Sequence, residues 1–215
     1  MGMQSACAAS IRLLVLLTSA ILAMSTAAWS EEVVDYLAIP GPIVFDGTTY
    51  TLGWSTVLGP DRYRQEYFPE GRGNSFEAYT EMLLIDVYEN GTDIKSAVGT
   101  MVTLLDQRKA TDPVVNKDVF QNQQTGEIIL DFVMSGTDTS GGILVEWNAY
   151  RYLPHKGVNG RTGVMLVGIS KRAYGNDNIK PFFRKLKEIR PKLIEKLGDQ
   201  ALPVAKPNPE PETEL

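Results

Sequence analysis

Three carboxylates stand inside otherwise apolar runs: Asp86 in MLLIDVYEN, Asp131 in IILDFVMSG and Glu146 in ILVEWNAYRY. Two such acids, when their surroundings drive their proton affinities apart, can serve as general acid and general base. A metal-independent hydrolase or isomerase using Asp131 and Glu146 is therefore one expectation. It requires the two carboxyls to lie within roughly 5–10 Å of each other. The simpler expectation is that each acid faces water or pairs with an arginine across a sheet.

Other chemistries find little support. A hydrolytic triad needs a base beside a nucleophile, and the chain has one histidine, His155, in the turn-rich stretch YLPHKGVNG, where a surface position is expected. G-x-S-x-G, S-x-x-K and H-E-x-x-H are absent from the sequence. The His and Cys clusters that zinc prefers are missing, and the acids do not follow calcium-loop spacing, so no metal is expected. GTDTSGG carries oxygen ligands but reads more simply as a strand connection. GRGNSFEAY offers Gly71 and Gly73 before a short helix at 75–81, yet lacks the lysine of a phosphate-binding loop, and no cofactor is expected.

Binding chemistry is better represented. In DRYRQEYFPEG, residues 61–71, aromatic and charged side chains alternate. An even-numbered loop at Gly59-Pro60 would place Tyr50, Leu52 and Trp54 on one face with Tyr63 and Tyr67, and Arg62, Arg64 and Glu66 on the other. In the last hairpin, like-parity pairing gives an apolar face of Val145, Trp147 and Ala149 with Met165, Val167 and Ile169. The opposite face carries Glu146, Asn148, Tyr150 and Tyr152 beside Leu166, Gly168, Ser170 and Arg172. That mixed face suits a small ligand, and Arg64, Glu146, Tyr150 and Arg172 are the contact residues expected there.

These side chains must be positioned by strands and helices, whose periods are legible. Alternation predicts strands at 43–46, 48–57, 62–68, 81–89, 114–121, 127–135, 143–153 and 163–174, separated by turns such as Asp46-Gly47 and NQQTG. TDIKSAVGTMVTLLDQRKA is a helix: Ile94, Ala97, Val98, Met101, Val102 and Leu105 share one face, Thr92 or Asp93 can cap its start, and Arg108 and Lys109 suit its end. In NIKPFFRKLKEIRPKLIEKLG, Phe182, Leu186, Ile189, Leu193 and Leu197 recur every three or four residues, and Pro191 predicts a kink or a break near Arg190. Four uninterrupted strands after the first helix favour a meander. The fold class is α+β, an antiparallel β-sheet of six to eight strands flanked by two main helices.

This order of hairpin, strand, helix, strands and helix, over most of residues 43–198, resembles the PsbP-like and Mog1-like α+β family. The resemblance implies an accessory or binding module more than an enzyme, and it carries no functional residue over.

The ends of the chain speak to location. The first thirty residues hold no acid and one base, Arg12, ahead of the apolar run Leu13–Met24. With Ala28 and Ser30 before Glu31, this reads as a signal peptide, residues 1–30, that takes Cys7 with it. A single domain at 31–198 follows, then the Pro- and Glu-rich segment 199–215, expected as a disordered tail. A domain of this size can bury a core without disulfides, and a periplasmic or secreted location follows.

Charge is segregated. Residues 31–170 hold 10 Lys and Arg against 19 Asp and Glu, whereas residues 171–196 hold 9 against 3. The formal net charge of −5 argues against nucleic acid as partner. The basic segment raises contact with a membrane surface through Lys180, Arg184, Lys187 and Lys192. The leading expectation is an exported, non-catalytic module for a small ligand or an envelope protein. The carboxylate enzyme and the membrane-surface protein are its alternatives.

Overall fold

The computed structural model describes residues 33–71, 79–157 and 160–209. The expected signal peptide, and the expected short helix of GRGNSFEAY up to Ala78, lie outside the described residues. Eight strands follow the expected segments closely: β1 (Ile43–Phe45), β2 (Thr48–Val57), β3 (Arg62–Pro69), β4 (Glu81–Tyr88), β5 (Asn116–Gln121), β6 (Ile128–Thr137), β7 (Ile143–Lys156) and β8 (Thr162–Tyr174). Helix α1 (Ile94–Lys109) joins β4 to β5, and α2 (Asn176–Asp199) follows β8.

All eight strands form one antiparallel sheet in the order β1-β2-β3-β4-β8-β7-β6-β5. Two four-stranded meanders thus meet at β4 and β8, and α1 carries the chain from the middle of the sheet to its far edge. Because side chains alternate along each strand, the sheet has two buried faces. One packs on α2: Tyr63, Tyr67, Leu83, Ile85, Trp147, Ala149, Val167 and Ile169 meet Leu186, Leu193 and Leu197. The other packs on α1: Phe68, Met82, Leu84, Leu130, Phe132, Tyr152 and Leu166 meet Val98 and Leu105.

The helices form for the reasons their sequences give. Asp93 caps α1 by accepting from the Ser96 amide at 3.0 Å, and Arg108 and Lys109 occupy the last turn against the negative end of the dipole. Helix α2 does not break at Pro191; it runs unbroken through Pro181 and Pro191 to Asp199. Pro191 and Lys187, whose carbonyl loses its donor there, are both exposed, so water can reach that carbonyl in place of the missing hydrogen bond.

Pairing in the last hairpin follows the expected parity: Glu146 opposes Arg172, Asn148 opposes Ser170, Tyr150 opposes Gly168, and Ala149 opposes Ile169. The β2–β3 hairpin departs from it. Leu52 pairs with Tyr67 as expected, but the register then slips by one residue at Gly53, and Trp54 pairs with Glu66 on the α1 side. This is a β-bulge, which re-aims every following side chain. Trp54 therefore stands 39% exposed and away from Tyr63, to which Val57 is paired instead. Glycine is needed at the bulge because a Cβ on Gly53 would stand 2.5 Å from the Phe68 ring.

The segment after α2, expected as a disordered tail, packs against the body at Ala205. Ala205 is buried, and the amides of Lys206 and Asn208 donate to the carbonyls of Leu37 and Tyr36 at 2.8 and 2.9 Å. Leu202 and Ala205 supply apolar anchors to the α2-side core in a stretch whose composition reads as unable to bury anything. On the other side of Leu37, its amide donates to Gln65 Oε1 at 2.7 Å, and the Tyr67 hydroxyl donates to the Ile39 carbonyl at 2.7 Å. Residues 210–215 lie outside the described residues.

Candidate functional site

The four expected contact residues, Arg64, Glu146, Tyr150 and Arg172, share the α1-side face, as alternation along β3, β7 and β8 requires. They belong to a largely closed network. Arg64 grips Asp86 with two nitrogens, each at 2.6 Å, and Arg62 reaches the same carboxylate at 3.0 Å. Asp86 is 1% exposed, and its hydrogen bonds hold the Arg64 guanidinium well above its ordinary proton affinity. Arg172 pairs with Glu146 and lies 3.9 Å over the Tyr79 ring, and the Tyr79 hydroxyl donates to Glu146 at 3.0 Å. Burial works against the Arg172 charge, and Glu146 together with Tyr79 and Tyr174 more than offsets it.

Tyr150 lies across Gly168, where a Cβ would stand 2.6 Å from its ring, and it packs edge-on against Phe132 at 5.1 Å. Its hydroxyl donates to Asn148 Oδ1 at 3.2 Å, and Ser170 donates to the same oxygen. The charges expected to meet a ligand are therefore spent on each other. Three atoms are not: Arg62 Nε, Glu66 Oε2 and Asn148 Nδ2 are buried without a hydrogen-bond partner among the described residues. Glu66 is 1% exposed; burial, with Asp86 and Glu146 adding repulsion against the pull of Arg64 and Arg172, pushes its carboxyl up to about 7. The sequence placed Glu66 beside Arg64 but could not show that two further acids, from β4 and β7, come to the same face.

The expected pair Asp131 and Glu146 is not a pair. Asp131 opposes Ala149 and takes hydrogen bonds from the Trp147 indole and from Arg190 on the α2 side, whereas Glu146 lies on the α1 side. The sheet separates them, so they cannot flank one substrate. His155 is likewise not on the surface. Strand β7 extends through Pro154, and His155 is 7% exposed with Nε2 3.1 Å from the buried carboxylate of Glu89. The oxygen ligands of GTDTSGG serve their own loop, since Asp138 accepts from the amides of Ser140 and Gly142 at 2.9 and 2.7 Å.

A concave feature with both apolar and charged groups lies on the other face, between α2 and the β5–β6–β7 flank of the sheet. It has a volume of about 310 Å³. Trp147 and Val133 from the sheet and Phe183 and Leu186 from the helix line it, together with Asp131, Arg190, Lys117 and Lys187. The helix leaves this flank open because its buried stripe, Leu186, Leu193 and Leu197, sits mainly over β7 and β8. Arg190 bridges the gap by reaching Asp131 on β6 and Asp118 on β5. Burial raises the Asp131 carboxyl above its ordinary value, against the opposing pull of Arg190 and Trp147.

Of the basic residues expected at a membrane surface, Lys192 stands 3.7 Å from Asp46, while Lys180, Arg184 and Lys187 are exposed and show no ion pair among the described residues. No helix among the described residues is long and apolar enough to cross a membrane.

Fold and sites together define an α+β protein with an eight-stranded antiparallel sheet, a closed polar network on one face and a groove beside α2 on the other. A protein-family model matches residues 37–202, and the chain belongs to that family, which is uncharacterised. Comparison with curated proteins and with solved structures finds no match.

Proposed function

We propose that the protein is an exported, non-catalytic accessory module that binds a small ligand in the groove between α2 and the β5–β6–β7 flank. The observation that carries this reading is the groove itself: a cavity of about 310 Å³ that combines an indole floor with a charged rim. Small-molecule sites are concave, mostly apolar and supplied with a few fixed polar groups, at volumes from roughly 300 Å³ upward. The leader-like first thirty residues support export. The likeness in element order to the PsbP-like and Mog1-like family supports an accessory role.

On this reading Arg64, Glu146, Tyr150 and Arg172 brace the α1-side face while the groove does the binding. The test is native mass spectrometry of the protein isolated from the cells that make it, beside a Val133→Trp variant that fills the groove. A small-molecule adduct on the wild type and none on the variant is the expected result. A bare wild-type mass, or an adduct held equally by both, would overturn the reading.

A further inference from the structure

We infer that the ligand of the groove is a single-chain anionic amphiphile, a medium-chain acyl carboxylate, held tail inward with its headgroup at Lys187; this rests on the groove being the binding site.

The walls set the tail. Trp147 is 1% and Leu186 7% exposed, and half-buried Val133 and Phe183 complete an apolar trough with one side on the helix and the other on the sheet. The one acid at its floor, Asp131, is already bonded by the Trp147 indole and Arg190, so the trough offers no free carboxylate to a cation. A volume of about 310 Å³, at roughly 30 Å³ for a group the size of a water molecule, takes a chain of about ten carbons.

The rim sets the head. The charged residues lining the groove are Lys117, Lys187, Arg190 and Asp131, three positive against one negative, a sum of +2. Lys117 is tied to Asp106 and Arg190 to its two aspartates, whereas Lys187 has no ion pair among the described residues. One turn earlier on α2, Arg184 is exposed and in the same condition, and Lys180 lies one turn before that. The C-terminal part of the helix differs: Lys192 and Lys196 both reach Asp46. Positive charge left unneutralised is thus concentrated at the end of α2 that borders the groove, which favours an anion there.

The experiment uses the compact unit Glu32–Leu215 carrying Trp54→Phe, so that Trp147 is the sole indole and reports from the groove floor. Its fluorescence is titrated with decanoate, decanol and decyltrimethylammonium, each below its micelle concentration. Decanoate should bind at least ten-fold more tightly than the cation, and octanoate about ten-fold more weakly than decanoate, as two methylenes fewer require. Lys187→Glu, a solvent-facing change that leaves the core intact, should cost decanoate several-fold and leave decanol unchanged. Equal binding of all three probes would overturn the anionic head and leave the groove reading standing. No response to any probe would overturn both. Undiminished decanoate binding by the Val133→Trp variant, read by isothermal titration calorimetry because that change adds a second indole, or capture only by anionic vesicles, would place the anion outside the groove and overturn the inference.

Discussion

Glu66 makes a sharp prediction because its burial has a sign. Its carboxyl, pushed from an ordinary 4.5 to about 7, holds a proton in the folded protein over a range where the unfolded chain has released it. Between those two values the native state binds more protons than the unfolded state, so stability falls as pH rises from about 4.5 through 7 and is level beyond. At 1.36 kcal/mol per pH unit the loss amounts to about 3 kcal/mol. Glu66→Gln keeps an acceptor at the same place but cannot ionise, so it should lack this loss. The assay is urea unfolding of both proteins at pH 4.5 and pH 8, followed by far-UV circular dichroism. The variant should gain about 3 kcal/mol on the wild type between the two pH values, equivalent to roughly 6–12 °C in Tm for a domain of this size. A difference that stays constant with pH, or that shifts towards the wild type, would refute the argument that burial dominates over Arg64.

Three further outcomes are expected. Asp86→Ala strips Arg62 and Arg64 of a buried partner and should destabilise by about 3–5 kcal/mol, read from denaturant midpoints at unchanged slope. Gly53→Val drives a side chain into the Phe68 ring at the bulge and should cost about 1–3 kcal/mol, whereas the same change at Gly47, where a Cβ meets nothing, is penalised only through its backbone angle of +80°. Truncation after Gln200 removes the Ala205 anchor and the two amides bonded to Leu37 and Tyr36, and should speed hydrogen exchange at the Leu37 amide while leaving that of Ile169, in the centre of the sheet, slow.

Much of the fold could be read because its information is local. Each strand declares itself by alternation, and the β7–β8 register follows from matching apolar residues across one turn. What failed has a physical cause in each case. A bulge re-aims the side chains that follow it, which alternation alone passes over; Gly53, the one glycine within 48–57, was the residue that could have signalled that Trp54 would leave the tyrosines. Pro191 forbids one hydrogen bond, but whether that breaks a helix depends on which side of α2 faces water, and only packing decides it. His155 reads as a turn residue because Pro154 and Gly157 flank it, yet the strand continues since β8 is long enough to pair as far as Lys156. The candidate site was half legible. The polar face was assembled correctly from parity, but the mutual neutralisation of its arginines depends on Asp86 arriving from β4. The groove was not legible at all. It exists because α2 sits over β7 and β8 and leaves β5 and β6 short of cover, and no periodicity encodes where a helix lies across a sheet.

The hydrogen bonds from Lys206 and Asn208 to Leu37 and Tyr36 bring the two ends of the folded body side by side. Seen as a path, the backbone of this domain comes within one short splice of a closed ring. A peptide link joining residue 208 to residue 36, with a new opening cut in the exposed turn at 122–126, should leave every strand pairing in place. The chain order of the eight strands would change, and the sheet would not.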